Sequence, residues 1–277
     1  MERSISIKQI LEEYDSVLQT YTIAVEKRFS RENLFEYNEI LFSAHSCAIE
    51  GNSFSVNDTK ELKEHGLKLK LHDKSMLEAF EILDHFNAYE FLFADLTVPF
   101  SEDLLISTHK ILTKNTIHYT KGYDPGAYTT TQMAAGDTIF PDHEISIAQI
   151  PDLMEQTQEA INRKSIHPIE IAAKFHKYLI YLHPFPDGNG RLGRLLSNFI
   201  LSKFHHPIVI VQAEQKQDYV DALKMSHKHN DLDIITGFFA RTSINRMNDE
   251  LAQIKMNTMS AQEGNEKKHT PGLSFIF

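Results

Sequence analysis

Twelve consecutive residues carry most of the chemistry legible in this chain: His183-Pro184-Phe185-Pro186-Asp187-Gly188-Asn189-Gly190-Arg191-Leu192-Gly193-Arg194. Gly188 and Gly190 let backbone N–H groups converge on one point. A helix beginning right after them adds unpaired donors and the positive end of its dipole. Arg191 and Arg194 are three apart and share a face of that first turn. Together these groups make an anion hole suited to a polyphosphate, which Arg grips bidentately. Asp187 beside the hole suits a divalent cation, because Mg²⁺ at phosphates takes one or two carboxylates plus waters. His183, closing the preceding helix, can accept a proton from a hydroxyl near neutral pH. A base, a metal carboxylate and a phosphate cradle in one loop describe phosphoryl or nucleotidyl transfer. Taken singly, a Gly-Asn-Gly turn, an Arg pair and a terminal His are ordinary; their conjunction points to chemistry.

The elements that must position this loop read as helices. Three-and-four spacing of apolar residues predicts helices over 7–29, 32–49, 75–95, 102–112, 149–164, 168–183, 191–204, 219–229 and 234–256, with one short helix within 57–73. Glu50-Gly51-Asn52 reads as a glycine C-terminal stop, Ser101 as an N-cap and Pro168 as a first-turn proline. Between Tyr119 and Pro141 the character changes. Tyr128 to Met133 is rich in strand formers, Ala134-Ala135-Gly136-Asp137 reads as a turn, and Thr138-Ile139-Phe140 as the return strand of a β-hairpin. The expected fold class is mainly α, a helical bundle with one short hairpin. Three regions are expected: 1–98, 99–212 and 213–277. The segment from Ser260 to Thr270 reads as irregular, and Leu273 to Phe277 as apolar enough to dock.

Composition narrows the partners. The 277 residues include 28 Lys and Arg against 38 Asp and Glu, a net charge of -10, which argues against non-specific nucleic-acid binding. Cys47 is the single cysteine, so neither an internal disulfide nor a multi-cysteine zinc site can form, and it reads as a small buried residue. No apolar leader and no run of eighteen apolar residues is visible, giving a cytoplasmic expectation without a membrane span. His205-His206, and His227 with His229, lack carboxylate partners at metal spacing, and Lys267-Lys268-His269 is too short for a nucleic-acid patch.

The loop resembles the signature of the Fic family, His-Pro-Phe-x-Asp/Glu-Gly-Asn-Gly-Arg-x-x-Arg, at every defined position. The resemblance implies a helical Fic-type core that transfers AMP from ATP to a protein hydroxyl. It implies that His183 deprotonates the target Tyr, Thr or Ser and that Asp187 holds Mg²⁺. It assigns the α- and β-phosphates to Gly188, Asn189 and Gly190, and the outer phosphates to Arg191 and Arg194. Gly126-Ala127-Tyr128, followed by Gly136 and Pro141, resembles the family's flap hairpin, which pairs with the target as an added strand. Thr129 stands where the family often has Arg. Tyr219-x-x-Ala222-Leu223 resembles the helix lining the nucleotide, with His227 where Asn is frequent. Met133 and Tyr219 are the nucleoside contacts it implies.

Upstream, Ser46-Cys47-Ala48-Ile49-Glu50-Gly51-Asn52 resembles the family's inhibitory motif, carried by Ser46, Glu50 and Asn52. A Glu50 carboxylate reaching Arg194 would occupy the outer-phosphate site. Self-modification and a homodimer fit this reading. Three alternatives stay open: a phosphotransferase relative, against which Gly190 counts; removal of AMP with Glu50 positioning water; and a non-catalytic ATP-sensing regulator, against which the intact His183 and Asp187 count.

Overall fold

The computed structural model describes residues 6–68, 73–136 and 138–263. Twelve α-helices, two single-turn 3₁₀ helices (Gly66–Lys68 and Ala213–Gln215) and one two-stranded sheet make up the regular structure of these residues. The helices are α1 (Ile7–Glu26), α2 (Arg31–Ile49), α3 (Val56–His65), α4 (Met76–Phe93), α5 (Glu102–Leu112), α6 (Ile117–Lys121), α7 (His143–Ala148), α8 (Ile150–Arg163), α9 (Pro168–Leu182), α10 (Asn189–Lys203), α11 (Lys216–Lys228) and α12 (Leu232–Glu263). The strands are β1 (Ala134–Ala135) and β2 (Thr138–Ile139), paired antiparallel with Ala134 opposite Ile139. The fold is therefore the mainly helical one expected.

Serine starts many of these helices. Ser6, Ser30, Ser55, Ser75 and Ser101 each accept a hydrogen bond from an N3 backbone amide, fixing where the chain turns helical. The centre of the bundle is α10. Leu192, Leu195, Leu196, Phe199 and Ile200 are each fully buried, and α10 packs on α9, α4, α5 and α2. Burying each such side chain is worth about 1.5–3 kcal/mol. α12 lies along α1, α9 and α11. The α9–α10 hairpin holds the turn at 183–188, so the most buried pair of helices fixes the chemically interesting loop.

The sequence reading departs from this at several boundaries. Tyr128 to Met133 is not a strand; the paired residues are Ala134 and Ala135, read from sequence as the turn. The cause is local. Thr129 Oγ1 donates to the Thr131 carbonyl and accepts from the Thr131 amide, while the Tyr123 hydroxyl contacts Thr130. Hydroxyl side chains thus satisfy the backbone that a ladder would have used. The short helix α6 escaped a periodicity reading. α10 starts at Asn189 rather than Arg191. α12 runs on to Glu263, so 260–263 are helical rather than irregular. Leu273 to Phe277 lies outside the described residues.

Candidate functional site

His183 ends α9. It adopts the left-handed conformation, φ 48 and ψ 54, which L-residues other than glycine seldom take. Its Nδ1 lies 3.4 Å from the Ile180 carbonyl. A carbonyl only accepts, so Nδ1 carries the hydrogen and Nε2 keeps its lone pair. Phe140, one residue past β2, stacks on the imidazole at 3.9 Å and 12°. Burial lowers the His183 pKa from its ordinary 6.5, which favours the neutral, proton-accepting ring.

The turn after it is braced from within. The Asn189 side chain accepts from the Phe185 amide at 3.1 Å and donates to the Phe185 carbonyl at 2.7 Å. Its side chain is thereby committed to loop closure, and its backbone N–H is what remains for a ligand. Gly188, at φ 79, is the N-cap of α10, and no side chain caps that end. The first N–H groups of α10 consequently lack helical partners. Asp187 Oδ1 accepts from the Gly188 amide at 2.7 Å and lies 3.5 Å from Arg191 Nη2; the carboxylate is 38% exposed.

The two arginines diverge. Arg191 is buried with Nη1 2.5 Å from Glu81 Oε1 on α4, and the other oxygen of Glu81 accepts from Asn52 Nδ2 at 2.7 Å. Arg194 points to the end of α2. Its Nε donates to Ser46 Oγ at 3.0 Å, and Nη2 to the Ser46 carbonyl at 2.8 Å and to Glu50 Oε1 at 2.7 Å. Nη1 reaches the Tyr219 hydroxyl at 3.5 Å, and that hydroxyl sits 2.6 Å from His176 Nε2. Burial alone would raise the Glu50 carboxyl; the Arg194 guanidinium holds it below the usual carboxylate range. A Cβ built on Gly190 would collide with Glu50 Oε1, so the carboxylate lies directly over the phosphate-type turn.

The structure thus brings Ser46, Glu50, Arg194 and Tyr219 into one cluster, and Asn52, Glu81, Arg191 and Asp187 into another beside it. Met133 joins neither: its sulfur is 3.4 Å from Thr129 Oγ1, and its carbonyl accepts from Phe140 in the hairpin. Gly136 lies in the hairpin turn at φ 56. Tyr219 is buried against Arg194 and His176. Cys47 is fully buried. His206 packs on Tyr14 and His167, and His227 stacks on Tyr181.

Sequence reasoning missed Glu81, Phe140 and His109. His109, on α5, contacts the Asp187 carbonyl through Nε2 and the Gly126 amide through Nδ1. No spacing rule links residues so far apart in the chain. Among the described residues no cluster of three or more His, Cys, Asp or Glu could hold a metal by itself, and no helix is long and apolar enough to cross a membrane.

Known proteins show which family this fold belongs to. Residues 99–201 match the Fic/DOC family. Protein adenylyltransferase Fic of Nematostella vectensis is 32% identical over 204 residues, covering 71% of this chain and 45% of that protein. Protein adenylyltransferase fic-1 of Caenorhabditis elegans is 27% identical over 245 residues, covering 88% of this chain and 46% of that protein. The chain spans about half the length of the curated relatives it matches. Among solved structures, Fic-1 of C. elegans (residues 134–508) is 25% identical with a TM-score of 0.75, covering 91% of this chain and 73% of that one. A Fic domain-containing signalling protein from Bacteroides thetaiotaomicron shares the fold at 22% identity, with a TM-score of 0.72 over 87% of this chain and 95% of that one. Through the domain at residues 99–201, this chain belongs to the Fic/DOC family.

Proposed function

We propose that the chain is a protein adenylyltransferase, moving AMP from ATP to a Tyr, Thr or Ser hydroxyl of a target protein, and that Glu50 restrains it. The observation that carries the reading is the Glu50 carboxylate seated on Arg194 and over Gly190, at the end of a loop built for phosphates. Support for the reaction class comes from the names of the relatives at about 30% identity and from the loop itself.

On this reading the loop residues divide the work. His183 Nε2 takes the hydroxyl proton as the oxygen attacks the α-phosphorus; pyrophosphate leaves on the far side. The N–H groups of Asn189 and Gly190 receive the inner phosphates, and Arg194, once free of Glu50, takes the outer one. Arg191 adds positive charge from beneath while held by Glu81. Met133 and Gly136 of the hairpin are assigned to the nucleoside end, while the buried Tyr219 braces Arg194 through its hydroxyl. The hairpin offers backbone to an extended target segment.

The donor set fits Mg²⁺ arriving with its nucleotide. Among the described residues Asp187 Oδ2 has no hydrogen-bond partner, and one carboxylate plus phosphate oxygens and waters is what Mg²⁺ typically uses. Bound there, it would neutralise phosphate charge that the loop amides alone leave unbalanced.

The test compares α-labelled with γ-labelled ATP on the parent and on Glu50→Gly. Protein-bound α-label, stronger in Glu50→Gly, supports the reading. Label transferred only from the γ position indicates a phosphotransferase. No transfer by either protein, with nucleotide still bound, indicates an ATP-sensing regulator. Equal α-label transfer by both removes the inhibitory role of Glu50 and leaves the transferase reading in place.

A further inference from the structure

His109 lies outside the signature loop, yet it joins the two parts of the site that must act together. It sits on α5 and is fully buried. Its ring lies flat on Phe185, with centroids 3.8 Å apart and planes 9° apart. The Gly126 amide donates to Nδ1 at 3.1 Å, so Nδ1 is the acceptor. That fixes the tautomer: Nε2 bears the hydrogen and donates to the Asp187 carbonyl at 3.0 Å. Each nitrogen of a neutral imidazole therefore has one fitting partner. Burial pushes the pKa down to about 4, which keeps the ring neutral at physiological pH. Gly126 lies at the foot of the segment leading to the hairpin, and Asp187 opens the phosphate turn. A second tie runs in parallel, from the Thr129 amide to the Pro184 carbonyl at 2.9 Å. Gly188 is closed in on the same side, since a Cβ there would meet Thr113 at 3.0 Å and His109 Nε2 at 3.5 Å.

We propose that His109 is a positioning residue that couples the flap to the phosphate turn: one imidazole holds the Gly126 amide and the Asp187 carbonyl at a fixed separation, so target-side and nucleotide-side backbone share one brace. The proposal rests on the transferase reading for its kinetic consequences, but its structural content does not depend on catalysis.

Three substitutions separate the two ends of the brace. His109→Phe keeps an aromatic ring on Phe185 and removes both hydrogen bonds. In His109→Asn, the amide oxygen can replace Nδ1 as acceptor for Gly126. In His109→Gln, the amide nitrogen can replace Nε2 as donor to Asp187. Amide hydrogen exchange is followed across residues 124–129 and 185–190, in protein without nucleotide. His109→Phe is expected to speed exchange at least about fivefold in both segments, the scale of one lost hydrogen bond. His109→Asn is expected to speed it mainly in 185–190, and His109→Gln mainly in 124–129.

In the Glu50→Gly background, AMP transfer is then measured. His109→Phe is expected to lower kcat by up to about 10²-fold, the cost of a small misplacement at the reacting atoms. His109→Gln is expected to recover the KM for Mg-ATP while the KM for target stays raised. Parental exchange in both segments of His109→Phe would overturn the proposal. So would identical exchange patterns in the Asn and Gln variants, because a residue acting by packing alone would not distinguish its two ends. Should the Phe variant fail to fold, the Asn and Gln pair still decides. Absence of AMP transfer in every variant, with the exchange pattern as expected, would remove the proposed function and leave the brace standing.

Discussion

Arg191 and Arg194 sit one helical turn apart on α10, both nearly fully buried, and they are held in different ways. Arg191 is paired with Glu81, which is 16% exposed and is itself gripped by Asn52. Arg194 is paired with Glu50, whose side chain is 38% exposed. Glu50 caps the end of α2 and precedes Gly51 at φ 106, where the chain turns away. One carboxylate is built into the bundle; the other is the last residue of a helix end. A buried pair costs most when broken, because the remaining charge is stranded. The Glu50 pair parts at less cost, because water reaches the freed carboxylate and Arg194 keeps its bonds to Ser46 and the Tyr219 hydroxyl. On the proposed reading, the Glu81 pair is the scaffold and the Glu50 pair the control.

The first way to sharpen this comparison removes the base both arginines are meant to serve. In the Glu50→Gly background, His183→Ala is expected to lower AMP transfer about 10²–10⁴-fold while nucleotide binding by calorimetry stays near the parental level. Transfer at an undiminished rate would remove His183 as the proton acceptor.

The second sets the two carboxylates against each other. Glu81→Ala is expected to lower stability by about 3–5 kcal/mol in denaturant titration and to give no gain in transfer. Glu50→Gly is expected to cost less stability than Glu81→Ala, because Arg194 keeps its bonds to Ser46 and Tyr219 when the carboxylate is gone. Its transfer should rise about 10–100-fold, the scale of one charge-assisted hydrogen bond released. Arg194→Ala should cancel that gain. A gain in transfer from Glu81→Ala matching that of Glu50→Gly would break the distinction between scaffold and control.

The smallest effect expected is in the pH profile. His183 has a pKa lowered from 6.5 by burial, so it stays a base when pH drops below that value. The acid limb of kcat in Glu50→Gly should therefore lie below 6.5. Glu50 has a depressed folded pKa, so its contact with Arg194 is fully present above the unfolded carboxylate value. It fades only as pH falls through the folded value. Neutral to mildly acidic conditions should leave the parent restrained, and a parent that became active at pH 6 would place the restraint elsewhere.

What the sequence made legible follows how contiguous each feature is. The residues from His183 to Arg194 are adjacent in the chain, so the loop and its helix start could be read from spacing, while the specific roles given to its residues came with the family resemblance and are proposals. Ser46, Glu50 and Asn52 were singled out only through the family resemblance, which also led to the expected contact from Glu50 to Arg194. Glu81 and His109 come from separate helices, and only packing brings them to the loop. Phe140 reaches His183 because the hairpin folds back over it, one residue beyond a pairing that local threonine hydrogen bonds had displaced. The periodic helices were clear because their buried faces are long. α6 spans five residues, too few for a periodicity to show.

The left-handed turn at His183 has a consequence for how such a chain can change over generations. A side chain there costs about 1–2 kcal/mol that glycine would avoid. Selection for thermal robustness alone would drive position 183 toward glycine and silence the site. On the proposed reading, keeping histidine means accepting a less stable helix end in return for a base held at the mouth of the loop. A lineage freed from the need for this chemistry should lose the residue early, well before the surrounding helices drift, so position 183 would record the moment of that loss.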